Sequence, residues 1–250
     1  LRTAWNTAEQ QGLHPVYGDT DSLFLENAPL EKVESLIKTV KENLRLDLAL
    51  ERHYSVCVLS AAKKAYFGIL PDGTPDLKGL TAIKSNAPNF IQQVFKTSVK
   101  QLAKVRNITE YEQAREKIAA IVENSIKDLR NRKFTPEDMI FSVKLYHDPR
   151  EKLASKVLPQ AYQCARQLLD SGKKIDQGDT VHFIKVKPFS YGKREFTVKP
   201  AENVKSIAEI NVEDYVRNLT TALDQVFKPM GITFKSQTEQ KITDWLAEKD

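Results

Sequence analysis

Tyr17-Gly18-Asp19-Thr20-Asp21-Ser22 is the segment where the chain gathers groups able to do chemistry, two carboxylates one residue apart between the apolar stretches 13–16 and 23–25. Side chains alternate faces along an extended strand, so Asp19 and Asp21 are expected to project the same way, with Cα atoms about 6 to 7 Å apart. Leu13, Val16, Leu23, Phe24 and Leu25 are expected to bury this hairpin in a sheet, where unpaired carboxylates are costly unless a cation or donor meets them. Hard oxygen ligands favour Mg²⁺ or Ca²⁺ over zinc. Two such ions about 3.5 to 4 Å apart are the usual arrangement for phosphoryl and nucleotidyl transfer. Two aspartates hold two ions poorly, so a third carboxylate from elsewhere is expected. By composition alone, Gly-Asp-Thr-Asp-Ser is also an ordinary tight turn.

Downstream, Lys63-Lys64-Ala65-Tyr66-Phe67-Gly68 leads into a strand over residues 66–70 that turns at Pro71-Asp72-Gly73, a hairpin signal. Two adjacent lysines entering a strand suit a phosphate or groove partner; a solvated strand end is the plainer reading. Asp76-Leu77-Lys78-Gly79-Leu80 and Lys84-Ser85-Asn86-Ala87-Pro88 follow, and on its own Lys78-Gly79 reads as a strand terminus. Together these strings resemble family B DNA polymerases. Tyr17 to Ser22 matches, over all six residues, the motif that closes the palm active site of that family. The lysine-lysine-x-tyrosine string resembles the element that tracks the primer-template minor groove. Lys78-Gly79 resembles the loop at the palm to thumb junction, and the segment from Lys84 through Phe90 and Ile91 looks closest to archaeal members. The three elements fall in the family's order with roughly its separations.

The resemblance implies template-directed addition of a deoxynucleotide to a primer 3′ end. Asp21 would then coordinate the catalytic metals, Asp19 would assist, and Tyr17 and Thr20 would shape the primer-terminus side. Lys63, Lys64, Tyr66, Lys78, Gly79 and Lys84 would contact DNA, with Lys64 reading the groove. The implied cofactor is a pair of Mg²⁺ ions completed by a carboxylate outside this chain. The implied partners are primer-template DNA, a deoxynucleoside triphosphate and an N-terminal polymerase portion. Two departures narrow the transfer: Ala65 stands where many relatives carry Arg or another polar residue, and Ala161 stands where a thumb histidine would follow Pro159. The sequence holds no DxxSLYP motif, no KxxxNxxYG motif and no exonuclease segment, so the chain alone is expected not to polymerise. The alternative is a non-catalytic DNA-binding and sliding-clamp-tethering module with a vestigial acid hairpin. A different palm-type cyclase or transferase would leave the lysine pair and the basic second part without a purpose.

The elements that must position these residues can be read from periodicity. A helix over residues 1–11 ends at Gly12, a C-cap position. Pro29 opens a second, with Leu30, Val33, Leu36, Ile37, Val40 and Leu44 at helical spacing. Strands are expected at 55–60 and 66–70, completing an open antiparallel sheet with helices on one face, the α+β layout of a palm. From Pro88 the pattern turns helical. A capping box at Thr109 to Glu112 opens a helix with the stripe Tyr111, Ala114, Ile118, Val122, Ile126 and Leu129, and another helix starts at Asn211 and runs to Phe227. A mostly helical second domain with a small β element near residues 180–198 is therefore expected, with 1–87 as the C-terminal part of a palm and 88–250 as a thumb with its tail. In that tail Ile242, Trp245 and Leu246 have the spacing of one short helical turn that plugs a hydrophobic pocket. They resemble a degenerate sliding-clamp-binding peptide, with Glu239 where glutamine is usual; an ordinary amphipathic terminus is the other reading.

Residues 1–87 carry 10 Lys and Arg against 11 Asp and Glu, a net of −1. Residues 88–250 carry 28 against 22, a net of +6, and the two recover the chain's +5. Basic charge beside an acidic metal site suits a nucleic-acid grip, although solvated helices carry such a charge too. Cys57 and Cys164 fit no zinc or CxxC spacing, and His14, His53, His147 and His182 form no ligand pair. There is no run of 18 apolar residues and no basic-then-hydrophobic leader, so no membrane partner is expected and the expected compartment is the cytoplasm, at the nucleoid. The first residue is Leu1 and the first helix lacks a capping residue, from which the C-terminal portion of a longer polypeptide, or a processed or split subunit, is expected.

Overall fold

The computed structural model describes residues 1–59, 64–80, 86–103, 105–153, 155, 157–232 and 234. The chain divides into two compact units, Leu1–Asp76 and Leu77–Asp250.

In the first unit, α1 (Arg2–Gln10) ends as expected at Gly12, whose φ of +69° is cheap only for glycine. The Gly12 and Leu13 N–H groups close the helix on the carbonyls of Glu9 and Ala8. Ala4 and Ala8 pack with Leu13 against Leu36 and Val40 of α2 (Leu30–Leu44), and Leu23 and Leu25 cover this small core from the side. Strands β1 (His14–Asp19) and β2 (Ser22–Glu26) form an antiparallel hairpin. The single open sheet expected from sequence is instead two separate sheets. Among the described residues β1 pairs only with β2, while β3 (Val56–Leu59), β4 (Tyr66–Ile69) and β5 (Pro75–Lys78) form a second sheet in that order. The register shift between Pro15 and Tyr17 supplies a physical reason: Pro15 has no N–H to donate and Val16 bulges out of the ladder. Val16, expected to be buried, is accordingly 43% exposed.

In the second unit, α3 (Asn89–Lys100), α4 (Ile108–Arg130) and α7 (Val212–Phe227) pack together. Phe95 meets Phe227 at 6.1 Å between ring centres. The α4 stripe Ala114, Ile118, Val122, Ile126 and Leu129 is buried as its spacing requires. Its cap lies two residues earlier than Thr109. Asn107 Oδ1 accepts from the Glu110 N–H at 2.9 Å, and the Glu110 carboxylate accepts from the Arg106 N–H at 2.7 Å. Strands β6 (Phe141–Lys144), β7 (Thr180–Tyr191) and β8 (Arg194–Pro200) form an antiparallel sheet in that order. The short helix α5 (Pro149–Lys152) leads to α6 (Gln160–Asp170), which lays Cys164, Ala165 and Leu168 over Val181, Phe183, Phe196 and Val198. Burial pushes the Cys164 thiol up to about 12, as expected of a cysteine that packs as a small apolar group. Tyr215 on α7 ties helix to sheet, its buried hydroxyl donating to the Met139 carbonyl at 2.7 Å and accepting from the Lys185 N–H at 3.0 Å. Among the described residues, no helix is long and apolar enough to cross a membrane.

Candidate functional site

Asp19 pairs with Ser22 across the hairpin, so Thr20 and Asp21 are its two-residue loop. The Asp21 N–H donates to the Asp19 carbonyl at 2.6 Å, a γ-turn centred on Thr20 with φ +50°. A β-branched residue in this region is strained by about 1 to 3 kcal/mol, a cost concentrated at functional sites. The Ser22 hydroxyl closes the turn by donating to the same carbonyl at 3.1 Å. Strand alternation therefore does not govern the two carboxylates. Asp19 ends β1 half-buried, whereas Asp21 is exposed on the turn, its side chain without a hydrogen-bond or ion-pair partner among the described residues. Burial of both carboxylates in a sheet, the expectation from the apolar flanks, does not hold, because among the described residues the hairpin is a two-stranded sheet.

The loop is met by Lys64, 44 residues downstream of Thr20. Its ammonium stands 3.9 Å from Asp19 Oδ1 and donates to Thr20 Oγ1 at 3.4 Å, while the Thr20 hydroxyl donates to Asp19 Oδ1 at 3.1 Å. The Lys64 backbone N–H donates to the Tyr17 hydroxyl at 3.3 Å. Lys64 has φ +61°, so both residues that face each other here are in the left-handed region. Aromatic edges extend the contact into the second sheet: Tyr17 to Phe24 at 5.4 Å and Phe24 to Tyr66 at 5.0 Å. The structure thus brings Tyr17, Asp19, Thr20, Lys64 and Tyr66 together. Burial, followed by the charges of Asp76 and Glu51, raises the Tyr66 phenol above its usual range.

With the Lys64 and Asp19 side chains 67% and 29% exposed, their ion pair contributes no more than about 1 kcal/mol, so a divalent cation can displace the ammonium at small cost. The donor chemistry fits Mg²⁺: two carboxylates carry hard oxygens, and Lys64 marks the spot as one that favours positive charge. Among the described residues no group of three His, Cys, Asp or Glu side chains gathers to hold a metal. Asp19 and Asp21 alone would leave such a site incomplete.

Lys78 ends β5, and Gly79 follows with φ +63°. Lys63, Lys84, Ile242, Trp245 and Leu246 lie outside the described residues. One supporting residue was not anticipated. The Tyr54 ring covers Gly68 of β4 so closely that a Cβ there would stand 2.2 Å from it. The Tyr54 hydroxyl donates to Asp76 at 2.8 Å, and Arg52 Nε lies 3.4 Å from the same carboxylate. Burial first, then the hydrogen bond to Asp76, raises the Tyr54 phenol. A lone glycine inside a strand pattern was the available signal of a close approach.

Comparison with known proteins returns one consistent answer. The model of DNA polymerase family B matches residues 2–230. DNA polymerase 1 of Sulfolobus acidocaldarius is 35% identical over 234 residues, covering 94% of this chain and 26% of that protein. DNA polymerase 1 of Saccharolobus solfataricus is 31% identical over 227 residues, covering 91% of this chain and 25% of that protein. The family B DNA polymerase from the hyperthermophilic archaeon Pyrobaculum calidifontis superposes with a TM-score of 0.63 at 25% identity, over 90% of this chain and 28% of that one. The chain spans about a quarter of the length of these relatives. A six-residue acid hairpin, the lysine that meets it, and a match running nearly end to end agree: the chain belongs to DNA polymerase family B.

Proposed function

We propose that this chain supplies the C-terminal part of the palm (residues 1–87) and the thumb (residues 88–250) of a family B DNA polymerase, which adds deoxynucleotides to a primer 3′ end under template direction. The observation that carries the reading is the acid hairpin itself, with Asp19 beside Lys64 and Asp21 open on the turn. Asp21 and Asp19 would hold Mg²⁺, two ions completed by a carboxylate outside this chain, and when bound these supply charge neutralisation at the leaving group and activation of the 3′ hydroxyl. The rest falls to the chain's own groups. Tyr17 and Thr20 shape the primer-terminus side, and the strained Thr20 turn holds Asp21 clear of the strand. Lys63, Lys64, Tyr66, Lys78, Gly79 and Lys84 grip the primer-template. The deoxynucleoside triphosphate is held by groups in the N-terminal portion, because the sequence carries no finger motif for it. Residues Ile242, Trp245 and Leu246 tether a sliding clamp, and the protein works at the nucleoid.

One observation favours a second reading, a DNA-binding and clamp-tethering module without catalysis: Asp19 already has an internal cation in Lys64. Primer extension after mixing the chain with an N-terminal polymerase portion separates the two. The catalytic reading expects extension by the mixture, none by the chain alone, and near-complete loss with Asp21→Asn while DNA binding persists. Extension unaffected by Asp21→Asn overturns it.

A further inference from the structure

The β7–β8 hairpin ends in Tyr191-Gly192-Lys193-Arg194. Tyr191 pairs with Arg194, and Gly192 takes φ +60° in the two-residue loop, a turn that glycine makes without strain. Lys193 and Arg194 are exposed at this tip, and neither has an ion-pair or side-chain hydrogen-bond partner among the described residues. Beside the tip, α6 presents Arg166, whose Nε lies 2.7 Å from Asp170 Oδ2. The Tyr191 hydroxyl donates to that same oxygen at 3.0 Å, so the one carboxylate in the groove is already shared by a cation and a donor. The Tyr191 ring stacks on Phe196 at 4.8 Å with 17° between planes, which fixes its orientation. Between α6 and the hairpin lies an open groove of about 440 Å³, with the three cations and Tyr191 in its wall.

A rigid aromatic ring set among cations is the arrangement by which proteins hold unpaired bases and their phosphates without regard to sequence. The groove's size favours one splayed-out nucleotide over a duplex, which presents its phosphates on a surface too broad to enter. We propose that this groove binds single-stranded nucleic acid, with one base against Tyr191 and the flanking phosphates on Lys193, Arg194 and Arg166. The site lies wholly in the second unit and is independent of the acid hairpin.

Fluorescence anisotropy with the 250-residue chain and a short labelled oligo-dT tests this at low salt. The double variant Lys193→Ala/Arg194→Ala should bind about tenfold or more weakly, with a salt slope shallower by about 1.4, as two lost phosphate contacts require. An abasic oligonucleotide of the same length should bind the unaltered chain about tenfold more weakly than oligo-dT, because the stacked base is missing. Unchanged affinity in the Lys193/Arg194 variant overturns the proposal. So does equal binding of the abasic strand, or equally strong competition from polyphosphate.

Discussion

Gly68→Ala is the substitution whose cost can be worked most directly from contacts at the candidate site. A Cβ at Gly68 would stand 2.2, 2.4 and 2.5 Å from three carbons of the Tyr54 ring, far inside ordinary van der Waals contact. Tyr54 cannot step aside freely, because its hydroxyl is bound to Asp76, which also faces Arg52. Displacing the ring gives up that hydrogen bond, about 1 kcal/mol for a half-buried group, and adds an overpacking cost of about 2 kcal/mol. The total of about 3 kcal/mol corresponds to roughly 100-fold faster hydrogen exchange at the β4 amides, at about 1.4 kcal/mol per factor of ten. Tyr54→Phe, which removes only the hydrogen bond, should accelerate the same amides about fivefold. Adding Tyr54→Ala to Gly68→Ala should cost less than the two single changes summed, since the clash needs both partners. With Lys64 and Tyr66 in their proposed place against the primer-template at the entrance to β4, Gly68→Ala should also weaken its binding in the reconstituted polymerase. Wild-type exchange rates for β4 in Gly68→Ala would refute the packing argument.

Two other predictions concern the second unit. Tyr215→Phe removes a fully buried hydroxyl and leaves the Met139 carbonyl and the Lys185 N–H unpaired, so unfolding in urea should show a loss of about 3 kcal/mol with little change in slope; a loss below about 1 kcal/mol contradicts this. The Arg130 guanidinium, hydrogen-bonded to Glu213 at 3.0 Å, holds that carboxyl below its usual 4.5. A depressed carboxyl contributes stability that is complete above its unfolded value and is lost as pH falls through its folded value. The stability advantage of the wild type over Arg130→Met should therefore be constant at neutral pH and shrink below about pH 4.5; a difference that stays the same throughout acid titration would contradict the assignment.

Much of the second unit was legible in the sequence because its helices carry long stripes at one period: Ala114 to Leu129 on α4 and Tyr215 to Phe227 on α7 are buried where the spacing puts them. Local choices among near-equal signals were less legible. Asn107 and Thr109 can both cap α4, and the Glu110 N–H is taken by Asn107. The four-residue strand β6 was missed because its identity depends on pairing with β7 some 40 residues away, and four residues hold too little pattern. At the site, the residues of the acid hairpin were legible but their geometry was not. Alternation presumes an extended strand through Asp21, whereas the chain turns at Thr20, and among the described residues the hairpin has no further strand partner. Lys64 against Asp19 is a contact across 45 residues, so no short window of sequence contains it.

Gathering of a divalent cation by Asp19 and Asp21 can be read without requiring activity by substituting paramagnetic Mn²⁺ for Mg²⁺. In amide spectra of the chain titrated with Mn²⁺, broadening should appear first at residues 18–22 and at Lys64, whose ammonium the ion displaces, and should vanish there in Asp19→Asn/Asp21→Asn. Broadening centred on another part of the chain, or persisting at the hairpin in that variant, would rule out a cation held by these two aspartates.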